Sequence, residues 1–398
     1  MEKRDVVVYS EDYKKLVDAA ALKDKYYEID ERVEEICKEA FKGCDKLEEI
    51  VMPKKLKKID SEAFQGCSSL TKLTLPDSVA RIDGLAFCGC SGLTELTLPN
   101  SVKSIGDGAF ADCSGLEKIT VESGNSRYDS RDNCNSIIDK KTNTLIAGCK
   151  NSVIPNSVAR IDGLAFCGCS GLTELTLPNS VKSIGDGAFA DCSGLEKITV
   201  ESGNSCYDSR DNCNSIIETE TNTLIAGCKN SVIPNSVTSI GNSAFCGCSG
   251  LTELTLPDNI HFIEGEAFMG CSGLTELTLP NSVKSIGDGA FAYCSGLTEL
   301  TLPNSVTSIG NCAFGGCSGL TELTLPNSIT SIGDYAFAYC SDLSKITSLA
   351  EIPPMCGFKV FNGVNKTNCE LIVPEGSVAA YTRAEDWNKF SNIRGFSK

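Results

Sequence analysis

Apolar residues recur along most of this chain with a period of 23 residues. The clearest unit, CSGLTELTLPNSVKSIGDGAFAY, begins at Cys271, and a degenerate first copy begins at about Ala21. A fixed period of this size is the signature of a repeat architecture, in which each unit stacks on the next. We therefore predict one array of similar turns from about residue 21 to 339. The further copies begin at Cys44, Cys67, Cys90, Cys169, Cys248, Cys294 and Cys317.

Each unit predicts a short β-strand followed by a turn. In the unit from Cys271, the segment Glu276–Leu279 alternates polar and apolar residues, which is typical of a strand with one buried face. We expect Leu277 and Leu279 to point inward, and Pro280 to end the strand because proline has no N–H to donate. The second half, SVKSIGDGAF, predicts another short extended segment and one turn of helix. A single unit cannot bury its own leucine face, so stability must come from stacking.

Two units, from Cys113 and Cys192, are longer than the others by 33 residues. The additional residues lie within 121–153 and 200–232, where NSIIDKKTNTLIAG and NSIIETETNTLIAG predict β-hairpins that project from the stack. Loops on a rigid scaffold often carry function, but these hairpins could equally fill the side of the array. Residues 78–126 and 157–205 are identical, which indicates recent duplication. Their similarity is therefore not independent evidence of function.

Segments of different composition flank the array and are expected to cap it. In the N-terminal cap, residues 1–20, DVVVYS predicts a strand or an extended arm, and EDYKKLVDAAALKDKYY begins a short amphipathic helix. In the C-terminal cap, residues 340–398, CELIVPEGSVAAYTRAEDWNKF predicts a last strand and a helix that is capped by Ser377 and carries Tyr381 and Trp387. We expect Trp387, the only tryptophan of the sequence, to seal the final turn.

The repeats resemble a known family, the BspA-like leucine-rich repeats of bacterial surface antigens. The family pattern CxxLxxLxLPxSLxxIGxxAFxx is matched over about residues 21–398, including both inserts and the VPEGSVAAYTRAEDW ending. The resemblance implies a curved, right-handed leucine-rich-repeat solenoid, mostly β, with a parallel β-sheet on the concave face and short extended or helical turns on the convex face. It also implies an adhesive role at the cell surface or in secreted form, towards host proteins or other microbes. The front end, MEKRDVVVYSEDY, shows no apolar secretory leader, so we expect either that a leader has been removed or that the protein stays inside the cell, and a cytoplasmic scaffold is the alternative.

The charge of the chain restricts its partners. With 36 basic and 52 acidic residues the net charge is −16, which repels phosphate backbones and anionic bilayers. The sequence contains no run of 18 apolar residues that could span a membrane. We therefore expect a protein partner, with neither nucleic-acid binding nor membrane insertion.

Twenty-three cysteines suggest a disulfide framework or a metal site, but their positions do not favour either. Eleven of them occupy one repeat position, where successive turns would place parallel side chains about 4.8 Å apart, whereas a disulfide needs converging Cβ atoms about 3.8 Å apart. The CGC triplets, for example Cys88 and Cys90, have one residue fewer between the thiols than a CxxC zinc knuckle. His261 is the only histidine. We expect reduced, buried thiols, no metal and no cofactor.

Repeated Glu and Thr residues form two candidate binding columns on the concave face. Because they hold the same strand positions in successive turns, their side chains are expected to form parallel ladders, which lysines interrupt in some turns. The acidic ladder is either a solubilising face copied by duplication or an electrostatic docking stripe for a protein with a basic patch. The candidate residues are Glu95, Thr97, Glu174, Thr176, Glu253, Thr255, Glu276, Thr278, Glu299, Thr301, Glu322 and Thr324. The interrupting lysines are Lys72, Lys118, Lys197 and Lys345.

No sequence feature predicts an enzyme. The motifs GxSxG, HExxH and GxxxxGK are absent from the sequence, and a single histidine excludes most catalytic triads. Carboxylates on one ladder point the same way and cannot flank a glycosidic bond from opposite sides. We therefore predict a non-enzymatic protein with no catalytic residues, which recognises other proteins through its concave face and its inserted hairpins. A weaker alternative is a structural spacer whose length changes by duplication.

Overall fold

The computed structural model describes residues 7–397 and shows a parallel-strand solenoid of about 17 turns, mostly β. Most turns contribute two short strands. One comes from an ELTL-type segment and belongs to what we call the face ladder; the other comes from an SI-type segment and belongs to the back ladder. The chain forms two compact units, one of residues up to 195 with 200–206 and one of 196–199 with residues from 207 onward.

In the first unit, parallel strands pair with a register step of one repeat, so that Glu95 lies opposite Lys118 and Leu96 opposite Ile119. The face-ladder strands are Tyr26–Glu28, Glu49–Val51, Lys72–Leu73, Glu95–Leu98, Lys118–Val121 and Glu174–Leu177. The back-ladder strands are Lys15–Asp18, Glu35–Ile36, Lys58–Ile59, Arg81–Ile82, Ser104–Ile105, Arg160–Ile161 and Ser183–Ile184. Lys197–Val200 crosses the boundary between the units.

The second unit repeats this arrangement. Its face-ladder strands are Glu299–Thr301, Glu322–Leu325, Lys345–Ser348, Glu370–Pro374 and Asn392–Phe396. Its back-ladder strands are Ser239–Ile240, Phe262–Ile263, Ser285–Ile286, Ser308–Ile309, Ser331–Ile332 and Met355–Cys356.

The strand predicted at Glu276–Leu279 is wrong as a regular strand. This part of the face ladder contains a single bridge, between Thr255 and Thr278. Leu277 and Leu279 are nevertheless buried, with exposed fractions of 7% and 6%. Side-chain alternation therefore persists where ladder hydrogen bonds are interrupted, because burial depends on stacking of the turns rather than on strand pairing.

A spine of phenylalanine rings fills the core. Phe64 lies between Phe41 and Phe87, with ring centroids 4.9 and 5.1 Å away and nearly parallel planes. In the second unit Phe291 lies between Phe268 and Phe314 at 5.1 and 5.3 Å. Offset stacking of this kind adds to the burial of apolar area, so the spine ties each turn to its neighbours.

The eleven cysteines that share one repeat position, which we call the cysteine column, are buried as that position predicts, and each also donates a hydrogen bond. They are Cys44, Cys67, Cys90, Cys113, Cys169, Cys192, Cys248, Cys271, Cys294, Cys317 and Cys340. The Sγ of Cys294 donates to the carbonyl oxygen of Phe268 at 3.2 Å, and that of Cys317 to Phe291 at 3.1 Å. Burial raises the pKa of the Cys340 thiol to about 12. A buried, protonated thiol is a poor nucleophile, so these side chains act as core residues.

The turns that follow the back-ladder strands contain no regular helix in the described part of the array. Residues such as Gly289 and Tyr293 have left-handed φ values of 64° and 60°, which interrupt a helix. Hydrogen bonds between turns replace those within a helix; the N–H of Phe291, for example, donates to Ala313 at 2.7 Å.

The N-terminal segment differs from the prediction. The expected amphipathic helix is wrong, because Lys15–Asp18 is a strand that pairs with Val8–Tyr9 on one side and with Glu35–Ile36 on the other. Pairing with the stack buries Leu16 completely, so tertiary contacts override a helix-like spacing of apolar residues. The part of this predicted cap within residues 1–6 lies outside the described residues.

The C-terminal segment continues the ladder beyond residue 340 and then closes it. The predicted last strand is present as Glu370–Pro374, but Asn392–Phe396 adds a further parallel strand. The single predicted helix is wrong: the α-helix is only Val378–Tyr381, its N-cap residue Ser377 makes no side-chain cap, and Trp387 lies in a separate 3-10 turn, Trp387–Lys389. Asp386, with a φ of 64°, separates the two.

Trp387 does seal the core, as predicted. Its ring is fully buried and lies 5.2 Å from that of Phe361, at the end of the phenylalanine spine. Its Nε1 donates to the carbonyl oxygen of Pro354 at 2.9 Å, which satisfies the indole N–H.

Each insert contains the predicted hairpin, but the hairpins do not project. In the first, Ile137–Asp139 pairs antiparallel with Thr144–Ala147, which in turn pairs parallel with Arg160–Ile161 of the back ladder. Short segments complete it, namely the strand Tyr128–Asp129 and the 3-10 turn Arg131–Asn133. Apolar residues on both hairpin strands are buried, so the hairpin forms part of the stack. The corresponding segments of the second insert are Tyr207–Asp208, Arg210–Asn212, Ile216–Glu218 and Thr223–Ala226.

Candidate binding face and inserts

The Glu and Thr columns predicted from the sequence lie on the outward side of the face ladder. In the second unit, Glu299 pairs in register with Glu322 and Thr301 with Thr324. We call this surface the Glu/Thr face. Its exposed members are Glu95, Thr97, Glu174, Thr176, Glu253, Thr255, Glu276, Thr278, Glu299, Thr301 and Glu322, and Thr324 is partly exposed.

The structure brings only some of these residues together. Glu299 and Glu322 are neighbours on paired strands, whereas Glu95 lies beside Lys118 and is separated from Glu174 by the first insert. The continuous acidic column therefore belongs to the second unit.

Lysines of the same column neutralise part of the acidic face. Lys345 Nζ lies 2.9 Å from a carboxylate oxygen of Glu322, and this hydrogen bond raises the pKa of Lys345. Within residues 7–397, Glu253, Glu276 and Glu299 form no ion pair within 4.0 Å. The uncompensated negative charge is thus concentrated at the start of the continuous column.

The interrupted part of the face ladder contains a groove of about 390 Å³. Three carboxylates, those of Glu253, Asp258 and Glu276, line it together with the hydroxyls of Thr255 and Thr278. The repeat pattern in the sequence predicted four of these five residues, all but Asp258. Asp258 was missed because most other turns carry asparagine after the proline, and this single substitution is the signal that could have identified it.

The first insert contributes to a second groove, of about 590 Å³, which sequence reasoning also missed. Asn135 accepts a hydrogen bond from the N–H of Ile119 at 3.4 Å, which attaches the insert to the face ladder. Lys150 forms a 2.6 Å ion pair with Glu117. The groove is polar and of mixed charge, since Glu95, Lys118 and asparagines of the insert line it.

A third groove, of about 900 Å³, lies near the start of the array. Met52, Leu73 and Leu75 form its apolar part, and Lys72 pairs with Glu49 at 3.1 Å beside it. The degenerate early repeats concealed this site in the sequence, because their face positions depart from the consensus.

No helix among residues 7–397 is long and apolar enough to cross a membrane.

Comparison with known proteins supports the leucine-rich-repeat assignment. A family model described as BspA type Leucine rich repeat region (6 copies) matches residues 21–138, 136–228 and 224–344. Among solved structures, a leucine rich cell surface protein from Faecalibacterium prausnitzii A2-165 is 29% identical with a TM-score of 0.53, over 87% of this chain and 86% of that chain. The pneumococcal vaccine antigen PcpA is 22% identical with a TM-score of 0.51, over 94% of this chain and 80% of that chain, a likeness of fold alone. A search of curated proteins found no match.

The family match covers most of the chain and coincides with the array of stacked turns. It confirms the family and the fold class predicted from the repeats. The chain belongs to the BspA-type leucine-rich-repeat family.

Proposed function

We propose that this chain is a non-enzymatic recognition protein of the bacterial surface or its surroundings, which binds a protein partner bearing basic residues through the Glu/Thr face. The observation that carries the proposal is the run of exposed, uncompensated carboxylates at Glu253, Glu276 and Glu299, held on stacked turns. A rigid array lowers the ordering cost of binding, because the side chains already share one face.

Electrostatics favours a cationic partner for this face. Two like charges about 5 Å apart repel by about 0.8 kcal/mol in water, and a bound Lys or Arg side chain relieves that repulsion. Exposed charges contribute mainly to association rate and partner choice. Binding should therefore weaken as salt concentration rises, because salt screens exposed charges.

The proposed location rests on likeness. The Faecalibacterium structure is described as that of a cell surface protein, and its fold covers most of this chain. A second candidate, a cytoplasmic scaffold, is favoured by buried thiols such as Cys294 and Cys317, which persist readily in a reducing compartment. Antibody labelling of intact and permeabilised cells separates the two: surface labelling of intact cells supports the first, and labelling only after permeabilisation supports the second.

The partner is sought by capture from extracellular-matrix proteins and from neighbouring cells. The test variant then reverses Glu253, Glu276, Glu299 and Glu322 to lysine. Its matched control reverses four exposed acidic residues outside the Glu/Thr columns, namely Asp107, Glu220, Asp342 and Glu385. Each set of four substitutions adds eight charges, so the net charge changes from −16 to −8 in both proteins.

If the Glu/Thr face is the docking surface, the test variant should lose most of its affinity and the salt dependence of binding, whereas the control should retain both. Equal behaviour of the two variants would refute docking at this face. The solubilising interpretation predicts that result, together with lower solubility of both variants.

A further inference from the structure

Away from the Glu/Thr face, one side of the first unit carries alternating thiols and carboxylates. Cys88, Asp112, Cys167 and Asp191 lie in the turns that precede the cysteine column, and we call them the thiol–carboxylate column. Turn-to-turn hydrogen bonds stack these four turns directly on one another. The N–H of Asp112 donates to the carbonyl oxygen of Cys167 at 2.8 Å, although an entire insert separates them in sequence.

This adjacency arises because the insert supplies no equivalent turn. Gly148 of the insert takes the place of a spine phenylalanine, and its N–H donates to Ala165 of the next turn at 2.8 Å. A Cβ at Gly148 would lie 2.2 Å from Cε1 of Phe166, so only glycine fits there. Because the insert returns to the stack at this point, the Asp112 turn meets the Cys167 turn with nothing between them.

The side chains converge on one small volume. The Cys167 thiol lies 3.7 Å from Oδ1 of Asp112, and one oxygen of each aspartate and the Cys167 Sγ are all within 4.8 Å of one another. On the other side of the Asp112 carboxylate, the Cys88 thiol donates to Oδ2 at 3.6 Å. Asp191 is exposed and Asp112 partly exposed, so an ion can enter from solvent.

We propose that Asp112, Cys167 and Asp191 bind a divalent zinc ion. One thiolate and two carboxylates are donor types that Zn²⁺ accepts, with bonds of about 2.3 Å to sulfur and about 2.0–2.2 Å to oxygen. Donor atoms around a tetrahedral ion of that size are about 3.3–3.8 Å apart, and the Cys167–Asp112 distance already lies in that range. Ca²⁺ and Mg²⁺ prefer sites made of oxygen alone, so the sulfur selects against them.

Binding is a simple exchange at the thiol. A zinc–sulfur bond forms as the Cys167 S–H bond breaks, the proton leaves to solvent, and each aspartate contributes a carboxylate oxygen. No oxidant or reductant is involved. Cys88 is a positioning residue, because its thiol holds the second oxygen of Asp112 and thereby orients the first.

The residues of the proposed site come from both copies of a duplicated block. Cys88 with Asp112 and Cys167 with Asp191 are equivalent pairs in the two identical blocks, 78–126 and 157–205. The contact between Asp112 and Cys167 joins one block to the other. A single copy of the block therefore contains neither the bridging contact nor the full donor set.

The experiment uses the full chain, reduced with a phosphine, stripped of metal and titrated with Zn²⁺ against a chromophoric chelator. Cd²⁺ is titrated separately, because thiolate ligation gives an ultraviolet charge-transfer band. The test variants are Asp112→Asn and Cys167→Ser. Asparagine suits the left-handed φ of 56° at residue 112, so Asp112→Asn is expected to fold. The matched controls are Asp107→Asn and Cys312→Ser, which change an exposed carboxylate and an exposed thiol elsewhere.

The proposal predicts one tightly bound Zn²⁺ per chain and a Cd²⁺ charge-transfer band. Each test variant should lower zinc affinity at least about tenfold, and the controls should match the wild type. Unchanged affinity in Asp112→Asn, an equal loss in the controls, or no charge-transfer band would each overturn the site. Far-ultraviolet circular dichroism checks the fold of each variant, and if Cys167→Ser fails to fold, Asp112→Asn alone decides.

Discussion

Ring stacking along the phenylalanine spine should contribute measurably to the free energy of unfolding of the second unit. Phe291 is fully buried, and its ring lies flat between Phe268 at 5.1 Å and Phe314 at 5.3 Å. Substitution to leucine keeps apolar volume but removes both ring pairs, whereas substitution to alanine also leaves a cavity. The two variants therefore separate the stacking contribution from the contribution of filled volume.

The magnitudes follow from these contacts. Each stacked pair contributes about 0.5–1.5 kcal/mol beyond area burial, so Phe291→Leu should lower the free energy of unfolding by about 1–3 kcal/mol. Phe291→Ala should lower it by about 3–5 kcal/mol, the usual cost of truncating a buried phenylalanine. The control is Phe262→Ala, which removes a phenylalanine that is 48% exposed and should lower the free energy by about 1–2 kcal/mol, less than Phe291→Ala does.

Trp387 provides the assay. It is the only tryptophan, is fully buried, and packs on Phe361 at the end of the same spine. Urea unfolding followed by its fluorescence should coincide with unfolding followed by circular dichroism if the unit unfolds cooperatively. The reasoning would be refuted if Phe291→Ala cost no more than Phe262→Ala, or if leucine cost as much as alanine.

Three further outcomes are expected. Iodoacetamide should modify the exposed Cys312 in the native protein but Cys340 only in urea, as peptide mass mapping would show; comparable native rates would contradict a sealed column. Tyr381→Phe should cost about 1–3 kcal/mol in urea unfolding, because the buried Ser348 hydroxyl loses its 2.7 Å partner; an unchanged midpoint would contradict this. Burial disfavours the charged Asp139 carboxylate, but backbone N–H donors and Arg127 outweigh burial and hold the pKa of Asp139 below its ordinary value. The stability that Asp139→Asn loses relative to wild type should therefore be largest above about pH 4. A loss that did not shrink at lower pH would contradict this prediction.

The repeating part of the fold could be predicted because each column is sampled many times. Leu277, Phe291 and Cys294 occupy positions that are apolar in every well-preserved unit. A departure from the consensus in one unit therefore does not obscure the position, because the other units show it. The period also predicts which side chains become neighbours, as the Glu299 and Glu322 pairing shows.

The ends of the array and the grooves were harder to predict from the sequence, because the segments that form them do not recur along the chain. Lys15–Asp18 has a helix-like apolar spacing, yet pairing with Glu35–Ile36 makes it a strand. The C-terminal helix ends at Tyr381, and the left-handed Asp386 separates it from the 3-10 turn that carries Trp387, a break that local propensity does not predict. The early groove, with Leu73 in its apolar part, lies where the repeat has degenerated.

The inserts change which residues are neighbours, and they do so differently on different sides of the stack. On the face ladder the first insert lies between the turns of Glu95 and Glu174, so it breaks the acidic column there. At the thiol–carboxylate column it supplies no turn, so Asp112 meets Cys167 directly. Asp112 and Cys167 are 55 residues apart, so a 23-residue period alone places them more than two turns apart. One inserted hairpin can thus weaken one candidate binding column and create another. Because the insert makes neighbours of residues that are distant in sequence, the spacing of ligands along the chain, as in the CGC triplets, did not reveal the proposed zinc site.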